Sequence, residues 1–157
     1  MTGPAIVIAV DSREQEGYSF SVPSLRKKLD AGDYSVVGLE IQVAIERKSV
    51  QDFVGTVIRS RDRFREELKR LQGYAMACVV VEGNLRDLLE GRYAGGAHPH
   101  AVVGAALSII VDYGIPVYFC SDRQASCRFV EELLIRFHRR FAECHQNENP
   151  PQGSGAE

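Results

Sequence analysis

The sequence has no apolar run near the roughly 20 residues that a membrane-spanning helix needs. It also lacks the basic, then apolar, layout of a signal peptide, because Met1–Pro4 carries no Lys or Arg. These absences predict a cytoplasmic protein. With 157 residues, 45 % of them hydrophobic and 25 % charged, the chain is large enough for one domain with a real core.

Paired cysteines are absent as well. The four cysteines are widely spaced and form no C-x-x-C pair: Cys78, Cys120, Cys127 and Cys144. Two of them lie in apolar, strand-like runs, which is typical of buried thiols and predicts neither disulfides nor a zinc site. The four histidines have no matching partners, so we predict none of them as a metal ligand.

The chain has no excess of positive charge. A net charge of −2 argues against a protein that coats nucleic acid. It does not exclude an enzyme that acts on nucleic acid through a local basic face around an acidic metal site. Residues 44–73 hold such a modest excess, with eight Lys or Arg against five acids.

A glycine-rich phosphate loop is missing where a nucleotide-binding α/β protein would have one. The first apolar run, Ala5–Val10, reads as a central strand and is followed by Asp11-Ser12-Arg13-Glu14. Open α/β sheets place their sites at such strand ends. A polar turn is an equally good interpretation of this tetrapeptide alone.

The most informative stretch that is present runs from Ala44 to Asp52. Apolar residues at 41, 43 and 45 alternate with residues 42, 44 and 46, which predicts a strand over 41–48. Glu46 and Lys48, two residues apart on this strand, should project to one side. Asp33 stands thirteen residues before Glu46 in a Gly-Asp-Tyr turn, and the spacing predicts an antiparallel hairpin that brings the two acids together. Two carboxylates and a lysine can hold a divalent cation and orient a water, so we predict a metal-dependent DNA nuclease.

A helix should begin after Ser49, with apolar residues at 50, 53, 54, 57 and 58. Asp52 has two interpretations that stay open: the acid of a capping box with Ser49, or a carboxylate that supports the site. The helix should break at residues 60–63. Arg59 and Arg61 are nearest in sequence to the site, and we expect them to contact phosphate.

The remaining elements alternate between strands and helices. Residues 76–81 and 115–120 are predicted strands, and Asn84 with Asp87 should cap a short helix that ends at Gly91. The apolar helix Ala101–Val111 is either buried, which we favour, or an oligomer interface. Ser121 and Gln124 predict a capping box for the last helix. We expect one domain over residues 1–141 and a disordered polar tail over 142–157.

The chain resembles the nuclease domain of the XPF/Hef structure-specific endonuclease family over residues 5–141. The matching motifs are Asp11-Ser12-Arg13-Glu14, Gly32-Asp33-Tyr34, Glu46-Arg47-Lys48 with Asp52, and Ser60-Arg61-Asp62-Arg63-Phe64. The resemblance implies a restriction-endonuclease-like α/β fold of three layers, with a central mixed β-sheet flanked by helices.

The resemblance also implies a role for each matching residue. Asp33 and Glu46 would be the metal ligands for Mg²⁺ or Mn²⁺, together with the backbone carbonyl of Arg47. Lys48 would orient the attacking water. The supporting acids would be Asp11, Glu14 and Asp52, and Arg13 and Arg47 would hold the site or the scissile phosphate.

Function and partners follow from the same resemblance. We predict a metal-dependent endonuclease that cuts flap, fork or other branched DNA in repair or recombination, nucleoid-associated if the source is bacterial or phage. The alternative is an inactive nuclease-fold module that binds DNA or a protein partner, although every acid of the motif is present. Many relatives append helix-hairpin-helix modules, which this sequence lacks, so its DNA affinity should be weaker or depend on a partner. A homodimer would form through the helices Ala101–Val111 and Val130–Phe141.

Overall fold

The computed structural model describes residues 5–148. The strands are β1 (Ile8–Asp11), β2 (Ser24–Lys27), β3 (Tyr34–Val36), β4 (Val43–Ser49), β5 (Met76–Glu82) and β6 (Val117–Phe119). The helices are α1 (Val50–Arg59), α2 (Arg61–Gln72), α3 (Leu85–Leu89), α4 (Pro99–Tyr113) and α5 (Arg123–Glu148). None of these helices is both long and apolar enough to cross a bilayer.

The strands form one six-stranded mixed sheet in the order β2-β1-β3-β4-β5-β6. β3 pairs antiparallel with both β1 and β4, while β2, β5 and β6 pair parallel with their neighbours. The predicted hairpin is confirmed, because the Asp33 amide donates to the Ile45 carbonyl at 2.8 Å. This hydrogen bond fixes the register of Asp33, which precedes β3, against β4.

The alternation of side chains along β4 separates two hydrophobic layers. Val43 and Ile45 face the layer covered by α5, where they join Val130 and Leu134. Ala44 faces the opposite layer, which α1, α2 and α4 cover. Helices therefore flank the sheet on both faces, and the predicted three-layer fold is confirmed.

The helices next to β4 begin and break where the sequence predicts. Ser49 caps α1, because its Oγ accepts a hydrogen bond from the Asp52 amide at 3.0 Å. The backbone turns at Ser60, and α2 then buries Phe64 and Leu68. The break lets two short helices, instead of one straight helix, follow the sheet at the end of β4.

Two predictions about helix ends were wrong. The cap of α5 is Asp122, whose Oδ1 accepts from the Ala125 amide at 2.8 Å, and not Ser121, which has a positive φ of 70°. In addition, α5 continues through residues 142–148, which the sequence assigned to a disordered tail. The rest of that tail lies outside the described residues, and the domain boundary at residue 141 stays a prediction.

The apolar helix α4 is only half buried, whereas burial was the favoured prediction. Val102, Ala106 and Ile109 face the core. Leu107 and Val111, at 54 % and 76 % exposure, face outward. The sequence could not separate these faces, because apolar residues occupy both.

Gly32 lies where the chain approaches β4 most closely. Its φ is +75°, and a Cβ built on it would lie 3.1 Å from both the Ala44 Cβ and the Ile45 carbonyl oxygen. Gly38 also has a positive φ, +90°, but a Cβ there would meet no described atom within 4 Å. Both glycines therefore have a φ that would strain any other residue, and they differ in packing.

We predict that Gly32→Ala lowers the free energy of unfolding by about 2–4 kcal/mol, because overpacking adds to the strain of a positive φ. Gly38→Ala, the matched control, should cost about 1 kcal/mol from strain alone. Urea denaturation followed by circular dichroism measures both. Equal losses in the two variants would contradict the close approach to β4.

Candidate active site

A cavity of about 310 Å³ lies between the sheet and the α1–α2 pair. Its lining residues come from β1, the bend before β3, β4 and both helices: Asp11, Arg13, Gly32, Asp33, Glu46, Lys48, Thr56, Ser60, Arg63, Phe64 and Glu67. Five of the residues that the sequence singled out, Asp11, Arg13, Asp33, Glu46 and Lys48, are therefore brought together.

Asp33 is held on two sides by main-chain hydrogen bonds. Its amide donates to the Ile45 carbonyl in β4, and its carbonyl accepts from the Asp11 amide in β1, both at 2.8 Å. Its Oδ2 accepts from the Arg47 amide at 2.7 Å. The carboxylate is thus fixed beside β4 while its other oxygen is left to face a ligand.

Glu46 and Lys48 project from β4 to the same side, as their spacing predicts. The Lys48 Nζ lies 3.3 Å from Glu46 Oε1 and 5.6 Å from the centre of the Phe64 ring. The ring and the carboxylate together place the ammonium group at the cavity wall, where it can contact a water or a phosphate oxygen.

Asp11 holds Arg13 at the rim of the cavity. Asp11 Oδ2 accepts from Arg13 Nε at 2.8 Å, and Oδ1 accepts from the Leu29 amide at 3.0 Å. The Arg13 side chain is 66 % exposed. Because both oxygens of Asp11 are engaged, this acid acts chiefly as a support that points the guanidinium toward solvent at the site.

Asp33, in the bend before β3, and Glu46, on β4, are costly to ionise. Burial raises the pKa of Glu46, the nearby Asp33 charge raises it further, and Lys48 opposes both effects. Burial also raises the pKa of Asp33, against the hydrogen bond from the Arg47 amide. A pair of neighbouring, poorly solvated carboxylates is the environment in which a divalent cation is most favourable.

The donors present fit Mg²⁺ or Mn²⁺, which prefer oxygen ligands. Within residues 5–148, no three His, Cys, Asp or Glu side chains are grouped so that they could hold a metal ion alone. Main-chain oxygen and water would have to complete the coordination of any bound cation. The Arg47 amide points toward Asp33, and since the amide and carbonyl of one strand residue face the same neighbour, the Arg47 carbonyl lies on that side too.

The structure separates Glu14 and the Arg47 side chain from this cavity. Arg47 projects to the opposite face of the sheet, where it lies 2.5 Å from Glu82 Oε1 and 3.4 Å from Glu14 Oε2. Tyr18 donates to Glu82 Oε2 at 2.6 Å, and the Arg123 guanidinium covers the Tyr18 ring. These buried ion pairs lie where α5 packs on the sheet. Glu14 and the Arg47 side chain are not among the residues that line the cavity.

Asp52, Arg59 and Arg61 lie near the cavity but are not among its lining residues. Asp52 is exposed on the first turn of α1 and contributes its amide to the Ser49 cap, so a catalytic part for its carboxylate stays a prediction. Arg59 and Arg61 line a neighbouring polar depression of about 520 Å³ with Ser60, Asp62, Arg63 and Arg65. Ser60 and Arg63 line both spaces, so the two are neighbours.

Several residues of the site were missed by sequence reasoning. On the helical wall they are Thr56 and Glu67; Ser60, Arg63 and Phe64 were named only as part of a matching motif, without a part in the site, and Glu82 completes the network on the opposite face. Thr56 and Glu67 lie on different helices, α1 and α2, so no single helical spacing links them. Nothing in the sequence indicates the pairing of Glu82 with Arg47.

Comparisons with known proteins agree on one family. The ERCC4 domain family matches residues 10–133. A Methanocaldococcus jannaschii protein named as an ATP-dependent RNA helicase is 34 % identical over 110 residues, 70 % of this chain and 12 % of its own. The 3′-flap repair endonuclease Xpf of Saccharolobus solfataricus is 27 % identical over 142 residues, 84 % of this chain and 56 % of its own. The chain thus spans about an eighth and just over half of these two relatives.

Solved structures of XPF from Aeropyrum pernix share the fold. One is 24 % identical with a TM-score of 0.69, over 94 % of this chain and 75 % of that one. Another, solved in complex with DNA, is 26 % identical with a TM-score of 0.66, over 86 % of this chain and 66 % of that one.

The raised pKa of Glu46 predicts a pH-dependent stability in metal-free buffer. A carboxyl whose pKa is higher in the folded state stabilises the fold below its ordinary pKa of about 4.3, and this stabilisation is lost as the pH rises through the raised value. Glu46→Gln cannot ionise, so we expect it to be more stable than the wild type at pH 8 by about 1–3 kcal/mol. The difference should disappear near pH 4.

Denaturation in EDTA at several pH values measures this effect. Glu66→Gln, on the exposed side of α2, is the control and should change stability little at any pH. A Glu46→Gln variant that is less stable than the wild type at pH 8 would contradict the argument.

Proposed function

The chain belongs to the ERCC4 domain family and carries an XPF/Hef-type nuclease domain, and on this premise we propose that it is a metal-dependent endonuclease that hydrolyses phosphodiester bonds in DNA. The observation that carries the proposal is the cavity in which Asp33, Glu46 and Lys48 meet. This combination provides oxygen ligands for a cation and a positive group for the water or phosphate beside it.

Asp33, Glu46 and the Arg47 carbonyl would hold the cation. When bound, Mg²⁺ or Mn²⁺ would lower the pKa of a water beside it and offset negative charge on the phosphate. Lys48 orients the attacking water, whose oxygen bonds to phosphorus as the ester P–O bond breaks. The attacking water gives up a proton to solvent, the leaving oxygen takes up a proton from solvent, and Arg13 at the rim donates hydrogen bonds to the phosphate.

The arginine-lined depression beside the cavity supports a nucleic-acid substrate. Arg59, Arg61, Arg63 and Arg65 surround it, and arginines contact backbone phosphates without reading sequence. Because the depression and the cavity share Ser60 and Arg63 in their walls, a strand that reaches the cavity would pass beside these arginines. A relative solved with DNA supports DNA as the substrate. A relative named as a 3′-flap repair endonuclease supports branched DNA, in repair or recombination. Such a role would place the protein in the cytoplasm, at the nucleoid if the source is bacterial or phage.

A homodimer belongs to this proposal. The outward face of α4 carries Leu107, Ile110 and Val111, all at least 40 % exposed. An exposed apolar face of a helix is typical of an interface. A homodimer that forms through this helix and Val130–Phe141 would cover the exposed face with the same surface of a second copy.

We predict that Leu107→Glu with Val111→Glu makes the protein monomeric, because four charges would be buried at a two-fold interface. Sedimentation equilibrium measures the mass. Ile41→Glu, another exposed apolar site, is the control and should leave the mass unchanged. A wild type that is monomeric at all concentrations would contradict the dimer.

We also predict that Asp33→Asn and Glu46→Gln each reduce DNA cleavage by at least about a hundredfold, because each removes an anionic ligand of the cation. The assay uses labelled duplex, single-stranded, flap and fork DNA with Mg²⁺, Mn²⁺ or EDTA. Asp30→Asn, three residues from Asp33 and exposed, is the matched control and should cleave like the wild type.

The same cleavage assay distinguishes an active nuclease from the alternative, an inactive module that binds DNA or a protein partner. Cleavage that continues in EDTA or in Asp33→Asn would place the chemistry elsewhere. A wild type that binds these DNAs and cuts none of them would identify an inactive binding module.

A further inference from the structure

Glu67 makes a contact across the cavity that the proposed chemistry does not use. It lies on α2, and its Oε1 accepts a hydrogen bond from the Gly32 amide at 3.0 Å. Its Oε2 accepts from Arg70 at 3.0 Å. The Glu67 side chain is 22 % exposed, whereas that of the neighbouring Glu66 is 64 % exposed. Glu67 therefore makes a specific hydrogen bond at the cavity, whereas Glu66 lies on the solvent-exposed face of α2.

The partner of Glu67 is the bend that carries Asp33. Asp33 is tied to β1 and β4 through its own amide and carbonyl, but both of these contacts lie within the sheet. Gly32 has no side chain to make a further contact, and its close packing on β4 leaves no room for one. Its amide points away from the sheet to Glu67, which makes this hydrogen bond a link between the bend and the helical wall.

Helix α2 is a firm support for that link. Phe64, Leu68 and Leu71 bury its inner face against the sheet. Phe64 also lies under the Lys48 ammonium group, so α2 contacts both sides of the cavity. A hydrogen bond to a carboxylate is stronger than one between neutral groups, and it can hold a bend whose main chain has a positive φ.

We propose that Glu67 is a positioning residue, which holds the Gly32–Asp33 bend through the Gly32 amide so that the Asp33 carboxylate stays aligned with Glu46 for a divalent cation. This inference rests on the proposed function for its metal. Glu67 itself touches neither the cation nor the DNA. Its action is through Asp33, in the way that outer hydrogen bonds orient metal-binding carboxylates.

Two substitutions distinguish the hydrogen bond from the charge. Glu67→Gln keeps an oxygen that can accept from Gly32 and removes the charge, while Glu67→Ala removes both. Glu66→Ala is the matched control, one residue away, exposed and paired with Lys69. Thermal unfolding of all four proteins establishes that each is folded before the comparison.

The first readout is amide hydrogen exchange at Gly32, measured by NMR without metal. The second is Mn²⁺ affinity by calorimetry, and the third is DNA cleavage as a function of Mn²⁺ concentration. In Glu67→Ala we expect Gly32 exchange to rise at least about tenfold and Mn²⁺ affinity to fall by about 10–100-fold. Glu67→Gln should restore both to within about threefold of the wild type. Glu66→Ala should change neither.

Two results would overturn the inference. Unchanged Gly32 exchange and Mn²⁺ affinity in Glu67→Ala would mean that the bend needs no support from α2. An equal loss in Glu67→Gln would mean that the charge of Glu67, and not its hydrogen bond, matters. If the wild type binds Mn²⁺ with Gly32 protection dependent on Glu67 but cuts no DNA, the proposed function fails while this inference stands.

Discussion

The hydrogen bond from the Arg47 amide to the Asp33 carboxylate is the contact on which the rest of the site depends. It continues the β3–β4 pairing beyond the last ordinary ladder bond, with a side chain in place of a carbonyl. Glu46 and Lys48 are adjacent to Arg47 in β4, so fixing Asp33 against this amide also fixes its place beside them. The glycine before Asp33 makes the close approach possible, because any Cβ at Gly32 would crowd β4. Two central strands of the sheet thus place a pair of buried carboxylates side by side.

That pair imposes a cost on the fold. Burial raises the pKa of both Asp33 and Glu46, so keeping them ionised works against the folded state until a cation offsets their charge. The hydrophobic layers on either side of the sheet must supply the compensating stability. We interpret the close packing of β4 and β5, whose central residues are fully buried, as the feature that tolerates this local cost.

The sequence predicts best the strands and helices whose apolar residues recur at a regular spacing. Alternation predicted β4 and placed Glu46 and Lys48 on one side, and helical spacing predicted α1, which ends before Ser60 as expected. Local chemistry was less reliable, since both Ser121 and Asp122 could cap a helix and only the backbone conformation selects Asp122. Contacts between distant segments were not predictable: Glu67 with Gly32, and Glu82 with Arg47, join residues 35 positions apart. Such pairs depend on how helices and strands pack, which no local pattern encodes.

The alternation of side chains along a strand explains why consecutive residues of one motif lie on opposite faces of the sheet. In Glu46-Arg47-Lys48, the outer residues line the cavity and the middle side chain joins the ion pairs under α5. The tetrapeptide at the end of β1 also divides, but through a turn in which the Glu14 amide donates to the Asp11 carbonyl at 3.0 Å. Asp11 and Arg13 lie at the cavity and Glu14 at Arg47 on the opposite face. Arg47 therefore links both faces, because its amide holds Asp33 while its guanidinium is held by Glu14 and Glu82. Membership of a motif therefore does not fix where a side chain lies. In this chain Glu14 and Glu82 pair with the Arg47 guanidinium, and a catalytic part for Glu14 stays a prediction.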